Sequence, residues 1–531
     1  MSNDATSGGS EKPAAQQSNS QAEHTEHAGQ VLLPDLELNI ERLQRFLGGG
    51  SDIVCRTLTH RSFDNEQYAI LYMDGLVDGA AIHTMLLGLL EDANRTNELQ
   101  DDGSLYNHLM DRSIAVGKIR PVTSIDEAGY AMLEGSTVIV VGHSLRAIAV
   151  DTAGGESRSV EEPSSQTVVR GPKEGFTENL RTNTALVRRI IKSPNLRMDY
   201  KVVGQETRTN IAVVYLQGIA QDDVVQEVHR RIDAIEIDGI LESGYIEEFI
   251  QDKAFTPFPL IQNTERPDAA CAGILEGQVV IMVSGTPFVL LTPVTFVRFF
   301  QSSEDYYQRY DIATFLRLIR VASFFISMLL PSMYIAITTF HQEMLPTSLL
   351  VSLAAQREGV PFPALVEAFL MEITFEILRE AGVRMPRIIG PAISIVGALV
   401  LGQAAVQAGL VSAAMVIVVS FTAIASFVIP AVNMGIAARL IRFVLMILGG
   451  TFGLFGIMSG LMVLLAHLCG LRSFGKPYLM PISPFVPGNL KDVLIRVPWW
   501  AMRNRPKNMA SKSNLKREGS GQRPDPDREG A

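Results

Sequence analysis

The feature that most constrains this chain is the run of residues 388–438, which contains no charged side chain. A bilayer-spanning helix needs about 20 consecutive apolar residues, and this run of about fifty is long enough for two. Glycines and amides interrupt the run near its middle: Gly402, Gln403, Gln407 and Gly409. We therefore predict a membrane hairpin with helices over 388–408 and 410–428. The alternative, buried core helices of a soluble protein, predicts shorter runs interrupted by polar residues.

Two more long apolar runs flank this hairpin, over residues 321–340 and 443–471. Together the runs predict a polytopic α-helical transmembrane domain over 291–475, with about four to six crossings. Positively charged residues precede the first run: Arg309, Arg317 and Arg320. Because positive charge beside a span favours the cytoplasmic side, the large N-terminal half is predicted to lie in the cytoplasm.

The N-terminal half is polar and divides into a tail, two subdomains and a linker. Residues 1–31 lack an apolar core and are predicted to be a disordered tail. Two α/β subdomains are predicted over 32–160 and 196–290, because strand-like and helix-like patterns alternate there. A turn-rich linker followed by a helix separates them, over 161–195.

The two predicted subdomains resemble each other at two separate places. Residues 69–76 match 213–219, and residues 133–141 match 275–283. The offset is about 142 residues in both pairs, and a shared offset favours a duplicated unit over chance similarity of β-rich segments. The predicted fold class is therefore α+β, with two duplicated cytoplasmic α/β subdomains followed by a polytopic α-helical transmembrane domain.

No residue pattern points to catalysis. The histidines lack companions at ligand or triad spacing, and the cysteines lie far apart in three segments. These residues are His60, His83, His108, His143 and His229, and Cys55, Cys271 and Cys469. No Gly-rich phosphate loop, metal motif or nucleophile elbow is visible. We predict that the chain is not an enzyme, holds no metal or cofactor, and has no nucleic-acid partner.

An arginine cluster lies on the helix-like part of the linker: Arg181, Arg188 and Arg189. Guanidinium groups hold phosphates and carboxylates through paired hydrogen bonds, which makes the cluster a candidate for partner binding or coupling. A solvated or ion-paired face is the commoner role of such a cluster.

An acidic stripe lies on the helix-length segment 363–380. Glu372, Glu376, Arg379 and Glu380 fall on one face at helical spacing. Charge at membrane depth is costly and faces a protein interior or a water-filled cavity. If the helix lies on the surface, the same stripe is an ordinary solvated face. Glu372 and Glu376 are candidate residues near a pore.

A sharper pattern follows in the uncharged run. Residues at helical steps of three and four form one stripe that is apolar first and ends in two amides: Ile389, Ile393, Val396, Val400, Gln403 and Gln407. Such a stripe suits a pore with a hydrophobic gate and a polar mouth. Aliphatic side chains facing lipid are the alternative.

The C-terminal segment 476–531 is predicted to be an interfacial stretch followed by a basic cytoplasmic tail. Trp499 and Trp500 suit the membrane interface, where amphipathic rings collect. The basic residues beyond them suit the cytoplasmic side, where the membrane surface is anionic.

Several longer segments carry a family resemblance. They are residues 169–172, 263–268, 284–291, 355–363, 376–386, 394–405, 425–430 and 472–478. Together they resemble the A subunits of GerA-type spore germination receptors of endospore-forming bacteria, over roughly residues 32–498. One branch of that family accompanies the dipicolinate release machinery. The segment 356–363 is more similar to the receptor branch.

The resemblance implies a place and a role. It implies a protein of the spore inner membrane beside a permease-like B subunit, which is thought to bind the nutrient, and a lipoprotein C subunit. It also implies that the A subunit oligomerises, as a pentamer, into a channel for monovalent cations. The family's pore lies on a transmembrane helix, which favours the pore interpretation of the stripe ending at Gln407.

Two functions remain open from the sequence. The preferred one is a nutrient-gated channel subunit in which a conformational change of a partner widens a constriction at Val396 and Val400. The alternative is a signalling or scaffolding subunit without its own pore, with the linker arginines binding partners. A secondary transporter is disfavoured because no pair of broken helices occurs in corresponding halves.

Overall fold

The computed structural model describes residues 30–61, 63–94, 104–113, 117–154, 163, 166, 168–384, 400, 402–502, 505 and 510. These residues form two units. The first lies within 1–160, 176–202 and 210–217, and the second within 161–175, 203–209 and 218–531.

The chain up to residue 217 folds into short helices and strands. They are α1 (Leu36–Leu47), β1 (Ile53–His60), β2 (Glu66–Met73), α2 (Gly79–Asn94), α3 (Leu105–His108), β3 (Ile119–Val122), α4 (Ile125–Leu133), β4 (Ser136–Val141), β5 (Ala147–Asp151), α5 (Leu180–Ile190), β6 (Leu196–Val203) and β7 (Thr209–Leu216).

The first five strands form one antiparallel sheet in the order β1-β2-β4-β5-β3. Successive side chains of a strand point to opposite faces, and β2 is buried on both. Leu71 packs in a core with Leu43 of α1 and Met132 of α4. Ile70 packs on the other face with Leu89 of α2. The sheet is therefore covered by helices on both sides.

Local sequence signals set the helix ends. The Asp35 carboxylate accepts a hydrogen bond from the Leu38 backbone N–H at 3.1 Å and begins α1. Gly48, with a φ of 83°, ends it in the left-handed conformation that glycine adopts without steric cost. The Ser124 hydroxyl accepts from the Glu127 backbone N–H at 3.2 Å and begins α4.

The rest of the chain continues with an α/β portion, which comprises α6 to β10, and then with long helices. The elements are α6 (Asp222–Asp233), α7 (Ser243–Ile250), β8 (Gln262–Thr264), α8 (Pro267–Glu276), β9 (Val279–Val283), β10 (Val289–Thr292), α9 (Tyr310–Phe340), α10 (Thr347–Arg357), α11 (Ala364–Arg384), α12 (Ala413–Phe427), α13 (Val432–Gly470), β11 (Arg472–Ser473) and β12 (Lys476–Pro477).

The elements from α5 to β10 follow the same order as those from α1 to β5, as a duplicated unit would. In the first series β5 pairs with both β4 and β3, and in the second β10 pairs with both β9 and β8. β2 and β7 share one burial pattern along their eight residues. The glycines after these strands, Gly75 and Gly218, have φ angles of 82° and 81°.

Two helices among the described residues, α9 and α13, are long and apolar enough to cross a membrane. The predicted run over 321–340 forms the C-terminal part of α9, which begins earlier, at Tyr310. The predicted helix over 410–428 is observed as the shorter apolar helix α12. The predicted helix over 388–408 lies mostly outside the described residues, which are helical at 400 and 402–407.

The longest helix reverses direction at Gly453. That residue has non-helical angles, φ 61° and ψ −145°, within α13. In a straight helix, Leu448 and Gly460 would be about 18 Å apart along the axis. A Cβ at Gly460 would instead lie 2.7 Å from Leu448 Cδ1. α13 is therefore a hairpin of two helical segments, which explains the glycine-rich interruption of the run 443–471.

The matched glycines of the duplication give a stability test. A Cβ at Gly75 would lie 2.9 Å from Ala185 Cβ, whereas a Cβ at Gly218 would meet nothing within 4 Å. We expect Gly218→Ala to lower the free energy of unfolding by about 1 kcal/mol through its positive φ alone. Gly75→Ala should lower it by about 2–3 kcal/mol, because overpacking adds to that strain. Chemical denaturation of the purified protein measures both, and equal losses would contradict the packing argument.

Candidate functional site

Helices α9 to α13 form the helical part of the second unit. Acidic side chains of α11 point into this helical part. Glu372 pairs with Arg442 of α13, with 3.1 Å between Oε2 and Nη2, and each side chain is only 1% exposed. The Glu372 carboxylate oxygens and the Arg442 Nε and Nη1 atoms make no hydrogen bonds to the described residues. The attraction is therefore an ion pair whose hydrogen-bonding capacity is largely unused, a condition that is costly in a buried site.

A second pair lies one turn later on α11 and one turn earlier on α13. Glu376 pairs with Arg439 of α13 and lies 3.8 Å from the Arg379 guanidinium. Arg379 in turn donates to the Ser426 hydroxyl of α12 at 2.8 Å. Spacings of four residues on α11 and three on α13 bring like positions to one face of each helix. The two pairs therefore connect α11 with α13, and Arg379 connects α11 with α12.

Glu367 caps the following helix. Its carboxylate accepts from the Ser412 backbone N–H at 2.6 Å and from the Ser412 hydroxyl at 2.5 Å. Ser412 is the N-cap of α12, where a negative charge is favoured by the helix dipole. The acidic face of α11 is thus internal at Glu367 and Glu372, whereas Glu380 forms an exposed pair with Arg384. The alternative that the acidic stripe is an ordinary solvated face therefore describes only the end of α11, at Glu380.

The predicted pore stripe is only partly described. Ile393 and Val396 lie outside the described residues. Val400 is 56% exposed, and Gln403 and Gln407 are exposed on the helical segment 402–407. A role for these residues in a pore remains a prediction.

The linker arginines have different environments within the first unit. Arg188 is buried, pairs with Asp52 at 2.6 Å and donates to the Leu196 carbonyl oxygen at 3.1 Å. Arg181 is exposed and pairs with Asp74. Arg189 is half-buried. Arg188 therefore stabilises the unit internally, and a surface for a partner would have to be formed by the other two.

The helices of the second unit are joined to its α/β portion by the strand pair β11–β12, which follows α13. The Ser473 hydroxyl donates to the Leu260 carbonyl at 2.7 Å and accepts from the Val294 backbone N–H at 3.0 Å. The Tyr478 hydroxyl donates to the Pro259 carbonyl at 2.8 Å. Buried hydrogen bonds of this kind fix geometry, because an unmet partner would be costly. The end of α13 is therefore rigidly connected to the α/β portion.

A charged cluster holds the start of α9. Arg317, 1% exposed, contacts Asp305 and Asp492 at 2.8 Å each. The Tyr306 hydroxyl donates to Asp492 at 2.8 Å. Burial, followed by the charge of Asp492, raises the pKa of Tyr306 well above its ordinary value, so the phenol stays neutral and remains a donor. Arg317, which the sequence predicted to lie at a membrane boundary, therefore also connects α9 to Asp305 and Asp492.

A cavity of about 370 Å³ lies beside this cluster. Its walls come from β8 and α8, from the segment before α9, and from the start of α13. The wall includes two ion pairs, Arg266 with Asp268 at 2.7 Å and Arg298 with Glu276 at 3.6 Å. A change in the shape of this cavity would therefore alter contacts of both the α/β portion and the long helices.

Comparison with known proteins identifies the family. The family model described as Bacillus/Clostridium GerA spore germination protein matches residues 41–508. This chain belongs to the GerA family. The resemblance stated from the sequence is confirmed.

Two relatives and one solved structure illustrate the match. Spore germination protein KA of Bacillus subtilis (strain 168) is 48% identical, over 93% of this chain and 90% of that protein. Uncharacterized membrane protein YfkQ of the same strain is 45% identical, over 89% and 91%. The crystal structure of the N-terminal domain of the A subunit of the Bacillus megaterium spore germinant receptor GerK3 covers 51% of this chain and 99% of that domain, at 34% identity and a TM-score of 0.41.

The structure of this GerA-family chain identifies charge partners that the sequence analysis did not predict. Glu372 and Glu376 were predicted as one face, but their partners were not identified. The available signal was the pair Arg439 and Arg442, which has the spacing to meet them. The approach of His60, Asp92 and His108 in the first unit was missed entirely. Their wide separation along the chain resembles no metal-ligand spacing.

The buried pair predicts a large and specific mutational effect. Glu372→Gln should lower the stability of the helical part by about 3–5 kcal/mol, because it leaves the Arg442 charge buried and unpaired. The double variant Glu372→Gln/Arg442→Gln should lose less than the two single variants together. Thermal unfolding of the detergent-purified protein measures the losses.

Glu380→Gln is the matched control. It removes a charge from the same helix but from a pair whose side chains are 61% and 78% exposed. An exposed pair contributes about 0–1 kcal/mol, so little change is expected. Equal losses of stability for Glu372→Gln and Glu380→Gln would contradict the argument that only the buried pair is costly to break.

Proposed function

We propose that this chain is the A subunit of a nutrient-responsive germination receptor in the spore inner membrane, and that it oligomerises into a gated channel for monovalent cations. The observation that carries the proposal is the distribution of polar groups in the helical part. Glu372 and Arg442 neutralise each other inside, whereas Gln403 and Gln407 are exposed. Because uncovered amides are unfavourable against lipid tails, these two should face water or another subunit.

The gate is assigned to the stripe that precedes these amides. Ile393, Val396 and Val400 supply an apolar constriction that excludes water when narrow, and the amides supply a polar mouth. An uncharged pore lining of this kind conducts an ion once the constriction is wide enough to hydrate. A ring of subunits around the stripe, as the pentamer expected for the family, would place it on the symmetry axis.

The charged pairs of α11 are assigned to gating. Glu372 and Glu376 connect α11 to α13, and α11 precedes the stripe in the chain. Both charges of the Glu372–Arg442 pair are buried, so a shift that separates the two helices would leave each charge unpaired at high cost. A shift of α11 would therefore be transmitted to the stripe.

The signal is proposed to come from partners. The permease-like B subunit, expected to bind the nutrient, would act laterally in the membrane, and the C-subunit lipoprotein would complete the receptor. The rigid connection at Ser473 and Tyr478 would let motion of the α/β portion reach α13. Arg181, which is exposed, and Arg189, which is half-buried, are proposed to contact a partner.

The membrane topology proposed here follows from the basic residues and the reversal in α13. The N-terminal half faces the cytoplasm, which in a spore is the core. α9 crosses once, and the two segments of α13 on either side of Gly453 go out and return. With the passes formed by 363–428, the number falls within the predicted four to six.

A receptor subunit without a pore is the competing function. It would use the exposed guanidinium of Arg181, which pairs with Asp74 in this unit, to bind a carboxylate of a partner in exchange for Asp74. In that case the stripe faces lipid or a neighbouring subunit and only transmits a signal. A family member that accompanies the dipicolinate release channel is a further alternative.

Potassium release from spores distinguishes these functions. We expect Val396→Ala and Val400→Ala, singly and together, to cause potassium leakage without nutrient, because a smaller side chain widens and wets the constriction. Val444→Ala is the matched control, since Val444 is 57% exposed on α13 and Val400 is 56% exposed. Normal retention and normal nutrient response at normal protein levels would overturn the pore assignment and favour the receptor without a pore.

A further inference from the structure

Three side chains with metal-binding atoms meet in the first unit. His60 is the last residue of β1, Asp92 lies near the end of α2, and His108 is the last residue of α3. One ligand atom from each lies within 4.8 Å of the others. The His108 Nε2 is 2.8 Å from Asp92 Oδ2, and the His60 Nε2 is 3.5 Å from the same oxygen.

The two imidazoles are buried and only partly satisfied. His60 is 1% exposed and His108 is 8% exposed. Neither ring nitrogen of His60 makes a hydrogen bond to the described residues, and the same holds for Nδ1 of His108. A buried polar atom without a partner costs about 1–3 kcal/mol. Two buried imidazoles that converge on one carboxylate therefore have unused capacity to bind a cation.

The surroundings suit a bound cation. The Phe63 ring packs against both imidazoles, with centroid separations of 5.0 Å and 5.1 Å. The neighbouring core is apolar and includes Tyr68, whose buried hydroxyl makes no hydrogen bond to the described residues. An apolar shell excludes competing water and strengthens the attraction between a cation and a carboxylate.

The cluster is particular to the first of the two similar series. β1 and β6 occupy the same place in their series and are both eight residues long. The last residue of β1 is His60, whereas the last residue of β6 is Val203. Formation of the strand therefore does not require a histidine at this position, which leaves room for a chemical role.

We propose that His60, Asp92 and His108 bind a divalent cation of the zinc class. Two imidazole nitrogens and one carboxylate oxygen are ligands that Zn²⁺ accepts at about 2.0–2.2 Å. A tetrahedral ion needs its ligands about 3.3–3.5 Å apart, so small rotamer changes bring the three atoms into position. A water molecule would take the fourth place. The ion replaces the His108–Asp92 hydrogen bond and connects β1, α2 and α3.

Cobalt titration of the full-length, detergent-purified protein tests the site. After chelator treatment, we expect the wild type to bind one equivalent of Co²⁺ with the visible absorption of a tetrahedral site, and Zn²⁺ to displace it. His60→Asn, His108→Gln and Asp92→Asn should each weaken binding by at least about 100-fold. Zn²⁺ should raise the thermal midpoint of the wild type but not of these variants.

His83→Asn is the matched control, because His83 is exposed on the same helix as Asp92. It should bind Co²⁺ as the wild type does, which separates the site from surface histidines. Asp92→Asn keeps the shape of the side chain, and circular dichroism shows whether each variant is folded. Wild-type protein that binds no Co²⁺, or folded variants that bind it as the wild type does, would overturn the proposal and leave a hydrogen-bonded cluster.

Discussion

The buried ion pair between Glu372 and Arg442 is the interaction on which the helical part of this GerA-family chain most depends. Burying two charges costs several kcal/mol for each ion, and their attraction offsets that cost only when both are present. Such a pair does little for net stability compared with an apolar contact of equal volume. Its physical consequence is specificity, because any arrangement that separates the two helices leaves a charge unpaired.

The neighbouring contacts extend that constraint to a third helix. Glu376 meets Arg439, Arg379 meets Ser426, and Glu367 caps the start of α12. α11 is therefore held at several points along its length, and two of these contacts connect it to α12. Each charged contact favours one particular position of the helix, because displacement leaves a charge unpaired.

The two similar series of strands and helices carry different additional contacts. The two series of strands and helices share element order, burial and glycine conformation, and each differs where chemistry is added. The first carries the histidine cluster at the end of β1. The second is fastened to the helices through Ser473 and Tyr478. The shared β-sheet core supplies stability, which leaves the strand ends and edges available for these additions.

The sequence by itself determined what depends on neighbours along the chain. The runs without charge, the alternation of strand-like and helix-like patterns and the two pairs of matching segments can all be read along the chain. They predicted the apolar helices, the α/β series and the repeat offset, and the longer segments identified the family.

Only the tertiary structure decided which distant side chains meet. Glu372 and Arg442 are far apart in sequence, as are His60 and His108, and spacing along one element does not say which distant element packs against it. The path of the chain sets such contacts, because it depends on many weak packing terms added over the whole fold. The same reason explains Arg188. Its sequence allowed a partner or an internal role, and the fold placed Asp52 beside it.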